Sequence, residues 1–359
     1  MQRALRRRDS RWGLTLLALV ASTLGALVVA AASPGVTAAQ NGKAPHHRMK
    51  VTLVAHGLQG TVGATIGPDG ALYVAEAGTG SRDAGRITRI DPSNGKATTF
   101  ASGLPARVLP SLGGAIDVAF VGSTMYVLVT VVGADVGGTS VDGIYRLDDS
   151  GFTVFADLGA WSLANPPSTP FDLSMGVQFA LQPVADGFLV TDGHHNRVLH
   201  VSAAGEVTQL IQFDNIVPTG LAVAHRRVFM SEAGPVPHAP ETGKVVSFRR
   251  SAPVQAQDVA SGYSLLTDVE CGPHGALYAL SQGDSPGDVE PGSPALPDSG
   301  RLLAVNRHGG FFVLVDKLNL PTSLDFVGNT AFVTTLAGEV WKIKHVSTRG
   351  SAGCDNHGD

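Results

Sequence analysis

The chain has 359 residues, 43% hydrophobic and 16% charged, with a formal net charge of −4. That balance supplies no basic face for tracking phosphates and excludes nucleic-acid binding; the pairs Arg226-Arg227 and Arg249-Arg250 read as solvated turn residues. With 44 Gly, 21 Pro and 6% aromatics, the composition is one of many Gly-punctuated turns, which points to an all-β chain.

The chain opens on an export signal. Arg3, Arg6, Arg7, Arg8 and Arg11 form a basic region, an apolar run from Trp12 to Ala32 follows, and the small residues Thr37-Ala38-Ala39 end it before Gln40. At roughly 20 residues the run is long enough to span a bilayer. Its Ala content and cleavage site favour a signal peptide over residues 1–39. The mature protein is then secreted, extracellular or periplasmic, with no stable membrane span. Residues 40–49 read as a flexible lead-in, where the adjacent His46 and His47 are solvated.

Beyond residue 50 no long amphipathic helix is evident, and one phrase recurs. In its first copy, Ala64–Ile66 is an apolar strand a and Gly67–Gly70 a turn. Ala71–Ala75 is strand b, apolar on both faces as an inner strand must be. Arg86–Ile90 alternates as strand c, Asp91–Gly95 turns, and Thr98–Ala101 is strand d. Gly and Asn supply the positive φ that such hairpins need. Further copies start near Ile116, Met175, Pro218, Leu266 and Pro321, and the last stops after strand c, at Ile343. Its missing strand d stands at the other end of the repeats, Lys50–His56, which has the form of Thr98–Leu104. The predicted fold is therefore an all-β, six-bladed β-propeller over residues 50–345. Its blades are four-stranded, and the N-terminal strand completes the last one, which removes an open sheet edge. Residues 346–359 are expected to be a disordered tail. Cys271 and Cys354 read as unpaired thiols, with a disulfide between them as the alternative in an oxidising compartment.

Val190-Thr191-Asp192-Gly193-His194-His195-Asn196-Arg197-Val198 resembles the NHL-repeat phrase. Over residues 50–345 the chain resembles the ScyD/ScyE family, best in Gly67–Gly80 and from Asn215 to His238; the blade phrases are common to many propellers, and Glu232–His238 is the more specific segment. That resemblance implies a propeller and export, and it supplies no reaction. More distantly the architecture is similar to SMP-30/gluconolactonase and paraoxonase-type propellers, which implies a divalent metal in the channel. Val62-Gly63-Ala64 stands where a gluconolactonase would place a glutamate ligand, so that activity is not carried over.

Strand a of each blade lines the channel. Aligning the copies puts Gly63, Asp117, Gly176, Gly220, Asp268 and Ser323 in one row, and Thr65, Ala119, Gln178, Ala222, Glu270 and Asp325 in the next. Asp117, Asp268, Glu270 and Asp325 are hard oxygen donors suited to Ca²⁺. The plainer reading caps these carboxylates on backbone N–H groups of the next blade. Glu76, Asp192 and Glu232 end the b strands of three blades at the same face, either open to a ligand or bonded within their own turns. Long insertions at 159–174, 234–243 and 283–299 share that face, with Trp161 and His238 as candidate ligand contacts. No nucleophile elbow, zinc motif or P-loop is present, and His194 and His195 point apart on a turn. The sequence thus favours a non-enzymatic binding or scaffold propeller that holds a small molecule, glycan or protein on its loop-rich face. The alternative is a metal-dependent hydrolase or lactonase.

Overall fold

The computed structural model describes residues 37–38, 49–78, 85–251, 254–289, 292–347 and 351–354. Of the two units into which the chain divides, Met1–Ser33 lies outside the described residues and Pro34–Asp359 carries the fold. The expected export signal and lead-in fall outside the described residues, apart from Thr37–Ala38 and Met49. Among the described residues no helix is long and apolar enough to cross a membrane.

The protein is a six-bladed β-propeller of four-stranded antiparallel blades, with Thr37–Ala38 added as a fifth strand on the rim of blade five, where it pairs with Asp316 and Val315. Strands a to d of blade one are Thr61–Ile66, Leu72–Glu76, Gly85–Ile90 and Ala97–Leu104; of blade two, Gly114–Val121, Thr124–Thr130, Gly143–Asp148 and Gly151–Asp157. Blade three holds Gln178–Val184, Gly187–Asp192, Arg197–Ser202 and Val207–Gln212, and blade four Pro218–Ala224, Arg227–Glu232, Gly243–Arg249 and Gln257–Tyr263. Blade five holds Leu266–Cys271, Leu277–Ser281, Gly300–Val305 and Phe311–Leu318. Blade six takes Pro321–Val327, Thr330–Thr335 and Val340–Lys344 from the C-terminal end and Lys50–Ala55 from the N-terminal end. The closing strand pairs Lys50 with Lys344, Val51 with Ile343 and Leu53 with Trp341. Each strand a packs against strand a of the next blade, and blade six returns to blade one, so the ring is closed.

Local chemistry explains the hairpins. In the c–d turn of blade one, Asp91 Oδ1 accepts the Ser93 N–H at 2.8 Å, and Gly95 takes a φ of 75° that a side chain would resist. The b strands are buried on both faces, as in Leu72–Glu76 and Leu277–Ser281, whereas Ala97–Leu104 on the rim is largely exposed. The core lies between blades. Ile116, Ala119 and Leu128 of blade two meet Leu181, Phe188 and Val190 of blade three, and Leu280 and Leu302 of blade five meet Leu324 and Val333 of blade six. Each such buried side chain contributes about 1.5–3 kcal/mol, so the blades are cemented face to face.

Three expectations need correction. The cysteines are paired: Cys271 and Cys354 form a disulfide across a separation of 83 residues. The tail is also ordered in part. Ser351 bridges Asn306, Gly353 bridges Ala276, and Ala352 donates its N–H to Val305 O at 2.8 Å, laying Ser351–Cys354 along blade five. Finally, the third blade reads four residues later than the sequence alignment. Leu181 pairs with Val190 as Ala64 pairs with Val74, so Ala180 and Gln182 hold the channel rows in place of Gly176 and Gln178.

The insertion after blade two begins as a short helix, Leu158–Ala164, whose first turn is capped by Asp157 accepting the Ala160 N–H at 2.7 Å.

Candidate functional site

The channel is lined by the six a strands, and Asp117 and Asp268 occupy equivalent places in blades two and five. Asp117 Oδ1 accepts its neighbour Val118 N–H at 2.8 Å, and Oδ2 accepts the Leu181 N–H of blade three at 2.7 Å. Asp268 repeats this with Val269 at 2.8 Å and with Leu324 of blade six at 2.7 Å. Ser323 of blade six accepts the Ala64 N–H of blade one at 3.1 Å. The row is therefore a set of staples between blades, in which a side chain from one blade satisfies a strand-a N–H of the next.

Two carboxylates of the next row complete an acidic cluster. Asp325 lies near the Ile66 backbone of blade one, which pulls its carboxyl down against the larger effect of burial. Glu270 Oε2 accepts the Cys271 N–H at 3.2 Å, which is its sole hydrogen bond among the described residues. All four groups lie deep in the ring, yet each keeps some surface facing the axis. Burial pushes the Asp117 carboxyl up to about 8, against the pull of its two N–H donors and with a push from Asp268. Burial likewise lifts Asp268 to about 7. Glu270 and Asp325 are held well above the ordinary carboxylate range, first by burial and then by the charges of Asp268 and of each other's neighbours in the cluster. Among the described residues no lysine or arginine acts on any of the four. Such a cluster keeps its protons or takes up a cation.

As a cation site the cluster is open. Among the described residues no three His, Cys, Asp or Glu side chains stand close enough to enclose an ion. Asp117 and Asp268 spend both oxygens on backbone N–H groups. The least committed oxygens belong to Glu270 and Asp325, and two carboxylates completed by water are a sufficient donor set for a hard divalent ion.

The three b-strand carboxylates are not brought together. Glu76 is fully buried and held by Arg86 Nη2 at 2.8 Å, by Gln59 N–H at 2.7 Å and by Thr88 Oγ1, all within blade one or its entry. Asp192 is fully buried against Arg197 Nε at 3.1 Å and His195 Nδ1 at 3.0 Å. Both are structural. Glu232 differs: it is buried, makes no hydrogen bond through its carboxyl among the described residues, and is lifted to about 7 by burial despite the nearby Lys244, which pairs with Asp258 at 2.9 Å. His238 has a buried Nδ1 without a partner among the described residues, and burial lowers its pKa. Trp161 is half-buried, and its ring lies against the Arg197 guanidinium at 4.9 Å.

The sequence reading passed over two groups. Arg197 is fully buried and reaches Ser162 Oγ at 2.9 Å and Asn165 O at 2.7 Å, so it ties the helical insertion to blade three. Asp142 accepts the Val132 N–H at 2.7 Å and is lifted to about 7 by burial, with Oδ2 left unbonded. The arginine sits in the NHL-like phrase, which reads V-x-D-x-x-x-N-R-V here, with Asn196 one place later than in the repeat, and its Asp-to-Arg spacing is a signal that could have found it. Asp142 carries no comparable signal.

No family model matches the sequence, and no curated protein sequence matches it. Solved structures do match. One is a gluconolactonase from Xanthomonas campestris, with a TM-score of 0.57 at 12% identity, covering 83% of this chain and 90% of the other. Another is the PQQ-bound aldose sugar dehydrogenase of Streptomyces coelicolor, with a TM-score of 0.51 at 13% identity, covering 84% of this chain and 99% of the other. The likeness is one of fold.

Proposed function

We propose that the chain is an exported propeller hydrolase that opens a small cyclic ester, a lactone, in its central channel, with a divalent cation held by Glu270 and Asp325. The observation that carries this reading is the cluster of four deep carboxylates with no basic side chain among the described residues to neutralise them. The gluconolactonase among the fold neighbours supports the choice of substrate class. A bound divalent cation polarises a carbonyl oxygen and lowers the pKa of water. Asp117 and Asp268, fixed on backbone N–H groups, hold the strands on which Glu270 and Asp325 stand. Export is supported by the basic and apolar leader, by the ScyD/ScyE resemblance and by the disulfide, which persists in oxidising compartments.

A second reading, a binding propeller without turnover, is favoured by the commitment of both Asp117 and Asp268 to backbone staples. One experiment separates the two. Hydrolysis of glucono-δ-lactone is followed by pH-stat in Ca²⁺ and in EDTA, for the wild type and for Glu270→Gln, alongside calorimetric titration with Ca²⁺. Ca²⁺-dependent turnover lost in the variant supports the hydrolase. Ca²⁺ binding without turnover leaves the binding propeller, and the absence of both overturns the cation site.

A further inference from the structure

On the face opposite the long loops, blades three and four frame a cleft of about 330 Å³. It lies between the a–b turns of the two blades and the c–d turn of blade four. Its apolar part is Val184, Val223 and Val228, and its polar part includes Arg226, Arg249 and Arg250. Arg250 donates through Nη2 to Asp186 Oδ1 at 2.6 Å, which ties blade four to blade three, while its Nε is buried without a partner among the described residues. Arg226 and Arg249 are exposed, and neither has a carboxylate partner among the described residues. Three guanidinium groups thus answer to one carboxylate, and the cleft carries excess positive charge on a chain whose net charge is −4.

Four arginines in two adjacent pairs read from the sequence as unconnected turns, but the propeller sets both pairs side by side: Arg227 and Arg249 are directly opposite on neighbouring strands. Like charges placed together cost free energy unless an anion is shared between them. The guanidinium fork fits carboxylate and phosphate oxygens, and a volume of roughly 300 Å³ or more suits a small ligand.

We propose that this cleft binds a small organic anion, a carboxylate or phosphate carried on an apolar body, with Arg226 and Arg249 on the acidic group and the valines on the body. It is independent of the channel.

Calorimetric titration of the full chain with phenyl phosphate and with inorganic phosphate tests the proposal. Phenyl phosphate is expected to bind, and more tightly than inorganic phosphate. The Arg226→Gln/Arg249→Gln variant is expected to lose about tenfold or more in affinity, with a thermal melt in anion-free buffer no lower than the wild type's, because both side chains are exposed and their mutual repulsion is relieved. Equal affinity in the variant overturns the assignment of the arginines. Equal affinity for the two probes overturns the role of the valines. Binding to phosphatidylglycerol vesicles with none to phenyl phosphate overturns the small-ligand site in favour of a membrane surface, and no binding to any probe overturns it outright.

Discussion

Asp117 of the second blade accepts the backbone N–H of Leu181 in the third at 2.7 Å. Asp268 of the fifth blade makes the same bond to Leu324 in the sixth, also at 2.7 Å. Each aspartate also takes the N–H of the residue that follows it, and the cause lies one blade back. Gly63 and Gly220 hold the corresponding places in blades one and four and have no side chain to offer. A Cβ on Gly63 would stand 2.2 Å from Asp117 Oδ1, and one on Gly220 would stand 2.3 Å from Asp268 Oδ1. Glycine followed by aspartate in the next blade is therefore one unit, used twice around the ring and related by an approximate two-fold axis.

Asp117→Ala removes the acceptor from two backbone N–H groups at once. Each buried donor left unpaired costs about 1–3 kcal/mol, so a loss of roughly 2–6 kcal/mol in urea unfolding is expected, with Asp268→Ala behaving alike. Asp117→Asn keeps one carbonyl acceptor and should lose less. Wild-type stability in the alanine variants would show that the staples are incidental.

Gly63→Ala drives its methyl group into Asp117 Oδ1 and to 2.7 Å from Ile116 O. Overpacking of this kind costs about 1–3 kcal/mol. Part of the clash is with the carboxylate, so Gly63→Ala/Asp117→Ala should lose less than the two single changes added together. Strict additivity across the double-mutant cycle would argue against the coupled unit.

Stability should fall as pH rises. In the unfolded chain a carboxyl titrates near about 4, whereas Asp117 titrates at about 8 and Asp268 at about 7 in the folded protein. Between those limits the folded state binds more protons than the unfolded one, so unfolding free energy decreases with pH. The contribution is complete below pH 4 and is lost by the time the pH passes 8. In EDTA the melting temperature should therefore drop from pH 5 to pH 8. Saturating Ca²⁺ should restore it at pH 8 and act little at pH 5, where protons occupy the same oxygens. A melting temperature flat across this range in EDTA contradicts the raised carboxyl pKa values.

The ring and its closure were legible because their signals are local. Gly67–Gly70 and Asp91–Gly95 mark turns by residue type, and Lys50–Ala55 repeats the form of other rim strands. The channel carboxylates were legible by alignment, but not their work, because the N–H groups of Leu181 and Leu324 reach them only across a blade boundary. The third blade was misplaced by four residues because its sequence offers Gln178 and Gln182 at the same spacing from an apolar pair, and only the pairing of Leu181 with Val190 decides between them. The disulfide was hidden by the length of chain between its cysteines. It becomes apparent only once Ser351–Cys354 folds back on blade five.

Arg197 offers the sharpest test of how the loop-rich face is held. Its guanidinium is fully buried, paired with Asp192, bonded to Ser162 Oγ and Asn165 O, and set against the Trp161 ring. Arg197→Ala leaves the Asp192 carboxylate buried without its cation, which typically costs about 3–5 kcal/mol, and cuts the helix Leu158–Ala164 from blade three. Arg197→Lys keeps a charge but cannot span Asp192, Ser162 and Asn165 together, since an ammonium lacks the planar fork. Both variants should melt at lower temperature. Both should also shift Trp161 fluorescence to longer wavelength as the ring meets water, whereas Ser162→Ala, which removes a single bond, should leave the emission near its wild-type position. An unshifted emission in Arg197→Ala would mean that the insertion is held by its own packing, for example by the buried Leu158.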